Sequence, residues 1–157
     1  MSKTPPTLFA WLGGQPALDL LIARFYDRVA ADTLLAPLFA GMSADHRQAV
    51  ADFIGEVFGG PRRYTDGGAR GHATMVAKHL GKHLSEPQRR RWVGLLLDTA
   101  DEAGVPDDPE FRSALVGYLE WGSRLAVINS QLDESPVAPG APMPTWGWGE
   151  TGGPYEG

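Results

Sequence analysis

The sequence predicts an all-α protein. In four segments apolar residues recur at steps of three and four, the spacing that places them on one face of a helix. Glycine, proline, serine and aspartate bound these segments, as they commonly bound helices. No segment shows the alternation of apolar and polar residues that marks a half-buried strand. With 157 residues the chain is long enough for a hydrophobic core, so one helical domain is expected.

The first long helix is expected from Pro16 to about Ala31, after the turn-forming pair Gly13 and Gly14. Tyr26 belongs to the apolar stripe of this helix and should point partly inward. The other members of the stripe are Leu18, Leu21, Ile22, Phe25 and Val29.

Residues 34–39 form a short apolar patch interrupted by a proline, and we expect one or two tight helical turns there. Ser43 is expected to cap the next helix. His46 lies one turn before Val50, so it shares the buried face of that helix near its start. A Gly-Gly-Pro sequence ends the helix, and residues 59–71 are expected to form a long glycine-rich loop.

Three histidines follow this loop at offsets of seven and four residues. On a continuous helix His72, His79 and His83 would share roughly one face. Met75 and Val76 make the face that presents His79 otherwise apolar. A histidine on such a face is either a core residue hydrogen-bonded to a carbonyl or a metal ligand, and the spacing leaves both interpretations open.

Two further helices complete the predicted body. Ser85, followed three residues later by Gln88, forms a capping-box pattern, and the helix it begins runs through Trp92 to about Gly104. An Asp-Pro pair at residues 108–109 begins the last helix.

The composition changes after Gln131. The remaining segment has five prolines, six glycines and no apolar periodicity, so it should not bury enough surface to offset its ordering entropy. We therefore predict a flexible N-terminus at residues 1–6, a folded domain at residues 7–131 and a disordered tail at residues 132–157. The side chains through which such a tail could contact the body are Trp146, Trp148 and Tyr155.

Composition excludes several classes of protein. Without cysteine the chain can form no disulfide, thiolate zinc site or thiolate-held iron–sulfur cluster. A net charge of −5 is opposite to the basic excess of nucleic-acid binders. No apolar run reaches the ~18 residues of a membrane span and the N-terminus lacks a signal-peptide pattern, so a cytoplasmic protein is expected, with no nucleic-acid or membrane partner. The three arginines at residues 89–91 fit a solvated helix face.

The histidine stretch does not match a zinc hydrolase. That motif needs a glutamate between two histidines four apart, whereas Leu80, Gly81 and Lys82 stand between His79 and His83.

The residues do suit a haem pocket, which needs an imidazole on an apolar helix, apolar walls and a few polar groups opposite. His79 is the candidate ligand. Tyr26, His46 and Trp92 are the polar candidates, although a core tyrosine and tryptophan bonded to carbonyls would also explain two of them. The candidate walls are Phe39, Val50, Phe53, Met75, Leu95 and Leu96. From these residues alone, haem is one interpretation among several.

The chain also resembles a known family, the group II truncated haemoglobins, over about residues 8–130. The resemblance rests on the paired glycines at residues 13–14, the segment RFYDRVAAD, the FGGPRRYT loop, RGH at residues 70–72, KHL around His79, and Trp92 after QRRR. It implies a truncated globin-like two-over-two sandwich of antiparallel helices around haem b, with a loop in place of most of the proximal helix.

The resemblance further implies roles for individual residues. His79 matches the proximal iron ligand, and Tyr26 and Trp92 match the distal ligand-stabilising pair. His46 falls at the distal position that faces the ligand, where many relatives have a small residue, so it could donate to the ligand, gate the pocket or coordinate iron. Phe39 falls where an aromatic side chain packs against the haem and where some relatives have tyrosine. The other two histidines of the stretch match no ligand position.

The implied function is reversible binding of oxygen and other diatomic ligands. Two charge-assisted donors of about 1.5–3 kcal/mol each would slow oxygen release, which suits oxygen, nitric oxide or peroxide chemistry better than oxygen delivery. Carbon monoxide is a further small ligand, an unidentified electron donor would keep the iron ferrous, and a homodimer is left open. The alternatives are a haem-based sensor or interaction module signalling through its tail, and a helical protein with no cofactor.

Overall fold

The computed structural model describes residues 4–67 and 71–156, and within these ranges it contains helices and no strand, as predicted. No helix in the described ranges combines the length and apolarity needed to cross a membrane. Two 3₁₀ helices span Ala36–Phe39 and Gly149–Thr151. The α-helices are α1 (Leu8–Leu12), α2 (Gly14–Ala31), α3 (His46–Val57), α4 (Arg63–Asp66), α5 (His72–Ala77), α6 (Glu86–Glu102) and α7 (Pro109–Ser130).

The long helices form two packed pairs, α2 with α3 and α6 with α7, and α2 also packs against α6 to join the pairs. Their apolar faces merge into one core, in which Phe25 of α2, Leu96 of α6 and Phe111 of α7 are at most 2% exposed. Tyr26 lies on the same side of α2 and is 3% exposed, so its predicted inward orientation is confirmed.

Gly13 ends α1 and precedes α2 with a φ of 118°, a left-handed conformation that glycine adopts without strain. A Cβ atom there would lie 2.8 Å from the Ala17 Cβ, so the junction also lacks room for a side chain. From α1, the Trp11 indole N–H donates to Asp108 at 2.8 Å, and Asp108 also accepts the Phe111 amide at the start of α7. These contacts fix the first helix against the last.

Of the two predicted serine caps, the one at Ser85 is confirmed and the one at Ser43 is wrong. Ser85 Oγ accepts the Gln88 amide at 3.3 Å and Gln88 Oε1 accepts the Ser85 amide at 2.9 Å, which completes the predicted capping box of α6. Ser43 does not cap α3, because that helix begins later, at His46, with Asp45 at the cap position and no side-chain capping bond.

The glycine-rich loop contains one helical turn, α4, in which Tyr64 is fully buried and packs edge-on against Phe53 with ring centroids 5.1 Å apart. The first residue of the RGH motif lies outside the described residues. Downstream, α5 ends at Ala77, so His79 and His83 lie beyond it and the three histidines do not share the face of one helix.

The arginines at residues 89–91 do not form a uniformly solvated face, contrary to the prediction. Arg89 is 6% exposed, and its guanidinium donates to the Glu86 carboxylate at 2.6 and 2.8 Å. Arg91 donates to Asp32 at 2.6 Å and thereby links α6 to the end of α2. Arg90 also donates to Glu86, at 3.2 Å, so all three arginines form ion pairs and only Arg89 is buried.

The segment after α7 differs from the predicted disordered tail over residues 143–153. The Trp146 amide donates to the Val57 carbonyl at the end of α3, and its indole N–H donates to the Ala114 carbonyl in α7, both at 2.9 Å. The Trp148 indole N–H donates at 2.7 Å to a backbone carbonyl ahead of α1. The two indoles pack against the core while satisfying their polar atoms, and this offsets the ordering entropy of a segment rich in proline and glycine.

Replacing Trp146 by alanine is expected to lower the free energy of unfolding by about 2 kcal/mol, because the change removes a half-buried ring and its hydrogen bond. For a chain of this size the melting temperature should fall by about 4–8 °C, measured by circular dichroism. Tyr155→Ala is the control, since this aromatic residue of the same segment is 58% exposed. Equal effects of the two substitutions would contradict a packed tail.

Candidate functional site

His79 lies in the turn that follows α5, and its Nδ1 atom is 3.0 Å from the Met75 carbonyl oxygen. A carbonyl can only accept, so Nδ1 carries the hydrogen and Nε2 is the bare nitrogen. Burial lowers the pKa of His79, the Met75 hydrogen bond opposes that shift, and the positive charges of Lys78 and Lys82 add to it. His79 is therefore neutral near pH 7, with Nε2 free to coordinate a metal.

A second group of side chains, Tyr26, Phe39, His46 and Trp92, is called the distal cluster below. It draws its members from α2, the first 3₁₀ helix, α3 and α6. The Tyr26 hydroxyl lies 3.2 Å from His46 Nε2, and the Phe39 ring packs edge-on against Tyr26 with centroids 5.6 Å apart. The fold thus brings together residues that the sequence singled out on separate helices.

Trp92 completes the distal cluster on another side of Tyr26. Its ring packs edge-on against Phe25, the neighbour of Tyr26 in α2, with centroids 5.3 Å apart. Burial raises the pKa of Tyr26, while hydrogen bonding from the Trp92 side chain and the positive charge of Arg47 oppose the shift. Tyr26 therefore stays protonated at physiological pH and keeps a hydroxyl hydrogen to donate.

His46 is the member of the distal cluster that is most readily titrated. Burial lowers its pKa to about 4, and the positive charge of Lys78, joined by that of His79 once it is protonated in acid, lowers it further. Its imidazole is neutral at pH 7, so one ring nitrogen can donate and the other can accept.

Acidification from pH 6.5 to about 4 is expected to destabilise the haem-free protein through His46. The unfolded imidazole binds a proton near pH 6.5 and the folded one near pH 4. The unfolded state thus holds more protons in this window, and stability falls as the pH falls. Urea midpoints between pH 7 and 4 measure the slope. His46→Gln should reduce it without removing it, because the pKa of His79 is lowered as well.

Acidic side chains lose their contribution to stability at lower pH than His46 does. Hydrogen bonding to Arg89 lowers the pKa of Glu86 to about 2, so its contribution is lost only as the pH falls from about 4.5 toward 2. Below pH 4 the parent and His46→Gln should therefore lose stability in parallel. Identical slopes of the two proteins above pH 4 would contradict the role given to His46.

The predicted walls come from four helices: the first 3₁₀ helix, which contributes Phe39, and α3, α5 and α6. Phe53 on α3 is 8% exposed, and Val50, Met75 and Leu95 are half-buried against the core. Leu96 is 2% exposed and lines a small cavity among residues of α2, α3, α6 and α7. Its side chain therefore fills the interior between the helices.

The other two histidines of the stretch have different surroundings. His72 begins α5, and its Nδ1 atom is buried with no hydrogen-bond partner among the described residues. His83 Nδ1 lies 3.3 Å from the Gln131 side-chain oxygen, just after α7.

Arg47 is a residue of this region that sequence reasoning missed. Its guanidinium donates to Asp27 at 2.6 Å, and its charge acts on Tyr26. With Tyr26 and Phe39 it lines a cavity of about 300 Å³ between α2 and the first 3₁₀ helix. The available signal was its position directly after His46, at the start of α3.

The donor atoms suit a haem iron better than a bare metal ion. Within residues 4–67 and 71–156, no three histidine, cysteine, aspartate or glutamate side chains converge to hold a metal. A single neutral imidazole with a free Nε2 is sufficient for haem, because the porphyrin supplies the other ligands. The hydrogen bond from His79 to a carbonyl is the kind of support that metal-ligating histidines have.

Comparisons with known proteins show which family the chain is similar to. Residues 7–120 match the family model described as Bacterial-like globin. The chain is 29% identical over 121 residues to the group 2 truncated hemoglobin YjbI of Bacillus subtilis (strain 168), a match that covers 77% of this chain and 89% of that protein.

Solved structures show the same likeness. The structure of a truncated oxygen-avid haemoglobin from Bacillus subtilis matches with a TM-score of 0.68 at 29% identity, covering 78% of this chain and 99% of the other. The group II truncated hemoglobin from Bacillus anthracis matches with a TM-score of 0.71 at 24% identity, covering 88% and 98%. The second match supports the fold alone.

The chain therefore belongs to the bacterial-like globin family and is a truncated haemoglobin, a class of haem-binding, oxygen-binding proteins. The resemblance to group II that its motifs indicate is confirmed, as is the two-over-two helical fold.

Proposed function

We propose that this truncated haemoglobin holds haem b through His79 as the proximal iron ligand and binds oxygen with slow release. The observation that carries the proposal is the contact between His79 Nδ1 and the Met75 carbonyl, because it directs Nε2 toward coordination. Because burial raises the pKa of Tyr26, its hydroxyl stays protonated and can donate a hydrogen bond on the distal side.

Haem b, when bound through His79, would supply a ferrous iron that takes up a diatomic ligand. The chain supplies the surroundings of that ligand. Apolar walls exclude water, which strengthens each hydrogen bond inside the site. The proposed walls are Phe39, Val50, Phe53, Met75 and Leu95, with Leu96 behind them in the core.

The distal cluster is arranged to donate hydrogen bonds. When His46 Nε2 donates to the Tyr26 oxygen, and Trp92 Nε1 does so as well, the Tyr26 hydroxyl hydrogen is left to point toward the ligand. Donors arranged in series polarise one another, so the outer two strengthen the hydroxyl as a donor.

This arrangement supports slow release of a ligand that carries partial negative charge, as oxygen does in haem proteins. A charge-assisted hydrogen bond contributes about 1.5–3 kcal/mol, and about 1.4 kcal/mol changes an equilibrium constant tenfold. The matched Bacillus subtilis structure is described as oxygen-avid, which is consistent with the proposal.

The proposal includes further ligands and partners. Nitric oxide, carbon monoxide and peroxide fit the same site, with nitric oxide dioxygenase or peroxidase-like chemistry as the associated activity. Such activity requires an electron donor, and we place the protein in the cytoplasm, as a monomer or homodimer. The sensor alternative gains no support from the tail, because its anchored residues contact this domain itself.

Reconstitution of the purified chain with haemin tests the proposal. We expect a red protein with a Soret band and one haem per chain, and slow oxygen release in stopped-flow experiments. The ferrous spectrum without added ligand shows whether His46 coordinates the iron: five-coordinate haem means that it does not. A colourless protein would overturn the proposal, and rapid oxygen release would overturn its kinetic part.

A further inference from the structure

Hydrogen bonds tie the end of α7 to the segment that follows His79. We call residues 81–84 and 130–132 together the proximal clamp. Its bonds run from Gly81 N to Leu132 O (2.9 Å), His83 N to Ser130 O (3.0 Å), Leu84 N to Ser130 Oγ (2.9 Å) and Gln131 Nε2 to Leu84 O (3.0 Å), with His83 Nδ1 3.3 Å from Gln131 Oε1.

The backbone inside the clamp is held in an uncommon conformation. Gly81 has a φ of 71° and His83 a φ of 51°, and His83 is the only non-glycine residue with positive φ in the described ranges. Left-handed geometry is costly for a residue with a Cβ atom and persists where the surroundings enforce it. Here the bonds to Ser130 and Gln131 do so.

His79 depends on this segment for its position, because it lies beyond the last residue of α5. On one side its amide donates to the Val76 carbonyl at 3.0 Å. On the other side its carbonyl accepts the Lys82 amide at 3.2 Å, and Lys82 stands between the clamped residues Gly81 and His83. A shift of the clamp therefore reaches His79 through one hydrogen-bonded turn.

We propose that Ser130 and Gln131 are positioning residues for His79. By holding residues 81–84 against the end of α7, they fix the orientation in which the imidazole meets the iron. This inference rests on the proposed role of His79 as the iron ligand. Through these two residues, the end of α7 helps to set the geometry of the iron–histidine bond.

The test compares the haem-loaded full chain with the double variant Ser130→Ala/Gln131→Ala. Arg124→Ala is the control, because Arg124 is exposed on the same helix and its guanidinium bonds to Glu120. The readouts are amide hydrogen exchange at residues 81–84 and the iron–histidine stretching band of the ferrous protein in resonance Raman spectra. If the double variant does not fold, each single substitution is measured instead.

We expect the double variant to retain its haem and helix content. Exchange at residues 81–84 should become about tenfold faster, as expected from the loss of hydrogen bonds, and the iron–histidine band should shift and broaden. The control should match the parent in both readouts. Faster exchange with an unchanged band would mean that the Ser130 and Gln131 side chains only stabilise the fold. Unchanged exchange would mean that these side chains do not hold residues 81–84. Either result overturns the inference. If His79→Ala retained the parent band, the ligand assignment itself would fail, which is a distinguishable result.

Discussion

Replacing His79 by alanine is expected to abolish stable haem binding. Among the described histidines, His79 has its Nδ1 on a backbone carbonyl and its Nε2 available, so its loss should remove the proposed iron ligand. Haem retained after gel filtration, measured as Soret absorbance per mole of protein, should fall about tenfold or more, since about 1.4 kcal/mol suffices for a tenfold change.

His72→Ala is the matched control for this experiment, because His72 comes from the same stretch and is given no part in coordination. It should retain haem as the parent does. Added imidazole should partly restore the Soret band of His79→Ala by occupying the vacated space. A normal five-coordinate ferrous spectrum in His79→Ala without imidazole would contradict the assignment.

Replacing Tyr26 by phenylalanine is expected to raise the oxygen dissociation rate constant by about 10- to 100-fold. The substitution keeps the buried ring and removes only the hydroxyl, and a charge-assisted hydrogen bond contributes about 1.5–3 kcal/mol. Trp92→Phe should have a smaller effect in the same direction, because its indole acts partly through the Tyr26 oxygen. Stopped-flow displacement of oxygen by carbon monoxide measures each constant.

Tyr118→Phe controls for the loss of a buried hydroxyl. Tyr118 is 7% exposed, its pKa is also raised by burial, and its ring packs against Phe58 and Trp146, away from the distal cluster. Its oxygen release should match the parent. If Tyr26→Phe also released oxygen at the parent rate, the distal-donor model would be wrong, and His46→Gln would then show whether His46 holds the ligand instead.

The helices could be predicted because their signals are local. The 3.6-residue periodicity of α2 and the capping box at Ser85 each act within a few residues, and both are observed. The backbone bonds that hold Gly81 and His83 after α5 could not be predicted, because their acceptors, Leu132 and Ser130, lie about 50 residues further along the chain and no local pattern reveals them.

The residues of the candidate site could be predicted from the sequence, but the distances between them could not. Periodicity placed Tyr26 and His46 on buried faces, and the resemblance supplied their roles. The 3.2 Å contact between them depends on how α2 packs against α3, which spacing within each helix cannot give. Composition predicted disorder for the tail because the segment as a whole is rich in proline and glycine. Composition does not show that two of its residues, Trp146 and Trp148, each form a hydrogen bond to the folded domain.

The tail also brings the two ends of the described chain together. A Cβ atom on Gly153 would lie 3.3 Å from the Pro5 Cβ, so a short peptide could join these positions. New termini could then open near Gly104, in the connection between α6 and α7, where a Cβ would meet nothing within 4 Å. The protein is therefore suited to circular permutation, with residues 26–92, which contain the distal cluster and His79, left as one continuous segment.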